Sequence, residues 1–134
     1  SSGFTDMPMN HKVFLAQFDA IKKLASEGPC VMVGRCADYA LAEYKDCFSV
    51  FVHADTDWRI NRLSQKHNKT AKEAKDMINK TDKSRSSYYN YYTNKKWGAA
   101  SSYNLCVDSS KLGIDGAAKA IIQAIEIFDS IKNK

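Results

Sequence analysis

Arginine is scarce in this 134-residue chain: of twenty basic residues only four are Arg, at positions 35, 59, 62 and 85, and sixteen are Lys. No apolar run approaches the ~18 residues of a membrane span, which excludes a spanning helix and leads to the expectation of a cytoplasmic protein with no membrane partner. The four cysteines, at 30, 36, 47 and 106, contain no CxxC pair. Three of them sit in or beside apolar runs, which favours buried free thiols over disulfides or a zinc site. His11, His53 and His67 lack metal-ligand spacing, and no Ser/His/Asp or Cys/His set is legible. No repeat, low-complexity stretch or linker breaks the chain, so a single domain is expected over 1–134.

What is present is a globular composition, 44% hydrophobic and 26% charged, with a net charge of +5 that favours an anionic partner. Each arginine then matters, because a guanidinium fork matches the oxygens of phosphate. Helical spacing of Val13, Phe14, Phe18, Ile21 and Leu24 predicts a helix over 11–27, closed by Gly28-Pro29, with residues 1–10 as a loop. Cys30–Val33, Phe48–Val52 and Asn104–Val107 read as short buried strands. A short helix is expected over 36–43. A further one starts at Thr56 as N-cap and runs through Leu63. Thr70 and Glu73 form a capping-box signature for a helix reaching about Tyr92. The last helix carries Ala118, Ile121, Ile122, Ile125 and Phe128. Alternating strands and helices predict an α/β fold with a parallel sheet.

Ligands of parallel sheets collect at the carboxyl ends of the strands. Three polar clusters fall there: Gly34-Arg35 with Asp38, His53-Ala54-Asp55, and Asp108-Ser109-Ser110. Arg35 either projects from a rigid strand end toward a ligand or pairs with Asp38 and caps a helix. Arg59 and Arg62, three apart on one helix face, form either a phosphate clamp or a solvated face. Lys80–Arg85 is a basic cluster followed by the tyrosine run Tyr88, Tyr89, Tyr91, Tyr92, which either stacks on bases or packs the helix.

These pieces, in order over about residues 8–130, resemble the cytidylate kinase-like family of nucleoside monophosphate kinases. The resemblance is carried by Cys30–Tyr39, Phe48–Ala54, Arg59 with Arg62, Lys80–Tyr89 and Leu105–Ser110. It implies a three-layer parallel sheet of P-loop kinase type and transfer of the ATP γ-phosphoryl group, with Mg²⁺, to CMP or a related nucleoside monophosphate. Gly34, Arg35 and Asp38 would bind the acceptor, and Arg59, Arg62, Lys83 and Arg85 would be catalytic cations, the last two on a lid over about 66–98. A homodimer is compatible with it and nucleic acid is not the expected partner.

Two departures stand against the resemblance. The lid stretch holds one Arg and a tyrosine run, which weakens the inherited preference for cytosine. No G-x-x-x-x-G-K-[ST] occurs, since the glycines at 3, 28, 34, 98, 113 and 116 never make a phosphate cradle. The phosphate-loop strand is the middle of such a sheet, flanked by strands like 30–33 and 47–52. The expectation is therefore that residues 1–134 are part of a longer protein whose phosphate loop lies upstream; the alternatives are that another chain or a rearranged sheet fills the gap, or that the chain is a kinase-derived binding or oligomer-forming module.

Overall fold

The computed structural model describes the backbone of residues 2–132 and the side chains of residues 11–132. It is α/β and mostly helical, with one small parallel sheet of two strands among the described residues. The chain divides into two compact units between Cys47 and Phe48.

The first unit is built on helix α1, Ser2–Glu27. The expected loop over 1–10 is helical from residue 2, even though Pro8 supplies no N–H and leaves one rung of the helical ladder unmade. Phe14, Phe18, Ile21 and Ala25 repeat at i, i+4, i+7 and i+11 and form the buried stripe, whereas Val13 and Leu24 stay exposed. That stripe meets α2, Ala37–Ala40, in a small core of Ile21, Ala40 and Leu41, ringed by Phe18, Ala25, Met32, Ala37 and Cys47. The rings of Phe14, Phe18 and Tyr39 form a triangle with centroids 6.0–6.3 Å apart.

Between α1 and α2 the expected strand Cys30–Val33 is not a strand. The segment has no regular structure, pairs with no other strand among the described residues, and leaves Val31 95% and Val33 89% exposed. Apolar character alone cannot form a strand; the segment also needs a neighbour to take its N–H and C=O groups.

The second unit holds β1, Val50–His53, and β2, Leu105–Asp108, paired in parallel with Val50 opposite Leu105 and His53 opposite Asp108. Ser49 extends the pairing, since its carbonyl accepts from Asn104 and Leu105 N–H, and its own N–H donates to Asn104 Oδ1 at 2.8 Å. Helix α3, Thr56–His67, follows β1. Its cap is Asp55, which accepts from Trp58 N–H, rather than the expected Thr56. The capping box opens α4, Ala71–Thr93, as anticipated: Thr70 Oγ1 accepts from Glu73 N–H at 3.1 Å, and Glu73 Oε1 accepts from Thr70 N–H at 2.9 Å. Glu73 is thereby held below the usual carboxylate range, chiefly by the Thr70 N–H.

After α4 the chain crosses β1 again through an aromatic cluster. Phe51 stacks on Tyr103 at 4.8 Å and meets Trp97 edge-on at 5.2 Å, while Tyr89 stacks on Tyr103 at 5.9 Å. The tyrosine run therefore packs the helix, with Tyr91 alone more than half exposed among its four rings. The last helix, α5, Ser109–Lys132, is broken at Gly113, whose φ of 75° and ψ of 168° are not helical. Its inward line is Ala117, Ile121, Ala124 and Phe128, so Ile122 and Ile125 of the expected stripe face outward.

Candidate functional site

Parallel pairing brings the carboxyl ends of β1 and β2 to one rim, and a cleft of about 450 Å³ opens there. It is lined by His53, Ala54, Asp55, Trp58, Asp108, Ser110 and Lys111. Two of the three strand-end clusters read from the sequence thus meet in one place. Trp58 and Lys111, which the sequence reading did not single out, complete the lining; both lie within three residues of a strand-end carboxylate.

The rim is braced by its own polar groups. Ser110 Oγ donates to Asp108 Oδ1 at 2.5 Å and accepts from Asp55 N–H at 3.0 Å, tying the two strand ends together. Asp108 Oδ1 also accepts from the backbone N–H of Ser110 at 2.9 Å and of Lys111 at 3.3 Å, capping the first turn of α5. Ser109 Oγ donates to the His53 carbonyl at 3.3 Å. Hydrogen bonding, first from the Ser110 hydroxyl and then from these N–H groups, with His53 adding charge, holds Asp108 below the usual carboxylate range against a desolvation that raises it. Ser110 Oγ thus donates one hydrogen bond and accepts another, and braces the two strand ends.

The cations fall into three groups. Arg59 makes a bidentate ion pair with Asp82 of α4, with both N···O distances 2.8 Å and both side chains partly exposed. The Asp82 carboxylate raises the Arg59 pKa further, so its charge is permanent. Arg62 lies over the Trp58 ring, 5.7 Å from its centroid, and so borders the cleft through that ring. The two arginines share a helix but have separate partners. Lys83 and Arg85 are exposed on α4.

Gly34, Arg35 and Asp38 belong to the first unit. Gly34 carbonyl accepts from Ala37 N–H at 3.2 Å, closing a tight turn whose central residues Arg35 and Cys36 have φ of 60° and 56°. Both are left-handed without being glycine, a conformation that costs free energy and that concentrates at functional sites. Arg35 is exposed; Cys36 is buried, and burial with the nearby Asp38 pushes its thiol up to about 11. Asp38 Oδ1 accepts from Tyr39 N–H at 2.9 Å. No three His, Cys, Asp or Glu side chains converge to hold a metal ion among the described residues.

Residues 1–111 match the sequence profile of the cytidylate kinase-like family. An uncharacterized protein from Eubacterium ventriosum has a similar solved structure, with 33% identity and a TM-score of 0.82 over 85% of this chain and 65% of its own. This chain thus spans a little under two thirds of that protein's length. No curated protein matches it.

Proposed function

Since the chain belongs to the cytidylate kinase-like family, we propose that it works as a phosphotransferase moving the ATP γ-phosphoryl group to CMP or a related nucleoside monophosphate. The observation that carries the reading is the shared rim of β1 and β2, where the clusters around His53 and Asp108 meet beside a helix bearing Trp58, Arg59 and Arg62. Phosphoryl transfer needs little covalent chemistry from protein; it needs positioning and neutralisation of charge. Arg35, set on a strained turn after Gly34 and close in sequence to Asp38, holds the acceptor phosphate. Arg59, Arg62, Lys83 and Arg85 neutralise charge as the segment over 66–98 closes as a lid. The acceptor phosphate is already an anion, so no general base is required.

Among the described residues, no three carboxylates make a cage for Mg²⁺. That ion commonly stays on nucleotide phosphates with one or two carboxylates, and no step here runs through it. The triphosphate cradle belongs, in this reading, to an upstream part of the same protein. No helix among the described residues is long and apolar enough to cross a membrane, and the partners are nucleotides, with a homodimer compatible.

The test is turnover of ATP by the full-length protein with CMP, UMP and AMP in turn, together with calorimetric titration of each. Arg35→Ala should weaken monophosphate binding by about 2–4 kcal/mol, the loss of a charge-assisted bidentate contact, with the melting curve retained. Equal affinities would remove Arg35 from the site. Binding without turnover would make the protein a nucleotide-binding module.

A further inference from the structure

Arg59 uses two of its five N–H donors on Asp82, one for each carboxylate oxygen, and keeps the others for a further acceptor. The pair joins the early part of α3 to the middle of α4. The two helices are connected through Asn68–Thr70, so the pair lies well away from that turn: nine residues along α3 on one side, about 14 Å at helical rise. Buried Ala74 and Ile78 fix α4 nearer the turn, and buried Tyr89 and Thr93 fix its far end. Between them the fork is a directional contact that sets one helix against the other at Asp82. Lys83 and Arg85 stand one and three residues beyond Asp82 on α4, so what fixes the helix at Asp82 also fixes their backbone.

Partly exposed ion pairs add little stability, and both members here are partly exposed, 31% and 26%. What the pair supplies is geometry. We propose that Asp82 is a positioning residue for the phosphate-handling cations: it orients the Arg59 fork and holds α4 so that Arg59, Lys83 and Arg85 meet an incoming phosphate in a fixed relation. This rests on the phosphotransferase reading of α3 and α4. It also carries a sign that a bystander carboxylate lacks. A carboxylate beside a cationic site lowers its attraction for anions, so removing one that does nothing else strengthens phosphate binding. Removing one that positions the fork weakens it.

The experiment uses the full-length protein with Asp82→Asn, Asp82→Glu, Arg59→Lys and the double variant Arg59→Lys/Asp82→Asn. CMP affinity and ATP:CMP turnover are measured in each, and amide exchange along α4 is followed without nucleotide. Asp82→Asn should lower kcat/KM or CMP affinity by about 10–100-fold, the range expected for misplacing a positioned group. Asp82→Glu should recover part of it, and the double variant should be no worse than Arg59→Lys alone. Amides over 80–86 should exchange faster in Asp82→Asn, while those around buried Ala74, Ile78, Tyr89 and Thr93 stay as they were. CMP binding that is unchanged or tighter in Asp82→Asn overturns the proposal. If wild type neither binds nor phosphorylates any monophosphate, the phosphotransferase reading falls. Asp82 is then decided by exchange: faster amides over 80–86 uphold its role in holding α4, and an unchanged pattern overturns it.

Discussion

Replacing Arg35 by glycine should stabilise the fold while removing the proposed acceptor contact. Arg35 sits at φ 60° in the turn closed by Gly34 and Ala37, and its side chain is exposed. Left-handed backbone costs a non-glycine residue about 1–2 kcal/mol, and the extra freedom of glycine in the unfolded chain returns about 0.5–1 kcal/mol of that. The clean comparison is Arg35→Ala with Arg35→Gly, because both remove the same exposed guanidinium and differ only in what the backbone tolerates. Arg35→Gly should be the more stable of the two by about 0.5–1 kcal/mol, or about 2–4 °C in Tm for a chain of this size. Cys36→Gly is the control. Its φ is the same, but its side chain is only 6% exposed, so lost packing offsets the relieved strain and little gain should remain. Urea and thermal melts of the variants decide it, with CMP titration alongside. An Arg35→Gly protein that melts at or below Arg35→Ala would show that the turn is not strained, and with it would go the argument that function holds Arg35 there.

Thr70→Ala should cost about 1 kcal/mol through loss of the α4 cap. Glu73 has a lowered folded pKa, so its contribution is present above its unfolded value and is lost as pH falls through the folded one; part of the gap to wild type should close below about pH 4, read by melts across pH. Alkylation at pH 8 should mark exposed Cys30 well before buried Cys36, whose thiol stands at about 11; peptide mass spectrometry giving equal rates would contradict the burial. A chain extended upstream through a phosphate-loop strand should melt higher and more cooperatively than residues 1–134, since covering Val31 and Val33 alone is worth about 1.5–3 kcal/mol each. Equal melting temperatures would refute the missing-neighbour argument.

Features fixed by neighbours in sequence were legible before the structure. The Thr70/Glu73 box, the Gly28-Pro29 stop and the strands near 50 and 105 all depend on local chemistry or on apolar runs that found a partner. Cys30–Val33 reads identically as sequence but has no partner strand among the described residues, which no local pattern can report. Helical stripes drifted by one position: in α1 and α5 the largest apolar residues suggested a face that packing shifted toward small ones, Ala25 in α1 and Ala117 and Ala124 in α5. At the site, the carboxyl-end rule located the clusters around His53 and Asp108. It had no means of joining Arg59 to Asp82, twenty-three residues away, or of separating Arg59 from Arg62 by their partners.

The break at Gly113 also divides the dipole of α5. Peptide dipoles add only while they remain aligned, so the long run after Gly113 delivers its positive end there, and the cleft faces only the short turn before it. Two N–H groups of that turn already point at the Asp108 carboxylate, which cancels much of what field remains. With Arg62 bordering through the Trp58 ring, the cation that lines the cleft itself is the Lys111 ammonium, a charge on a flexible stem set against the Asp55 and Asp108 carboxylates. Its pull on an anion should vary with ionic strength far more than that of a helix terminus built into the backbone.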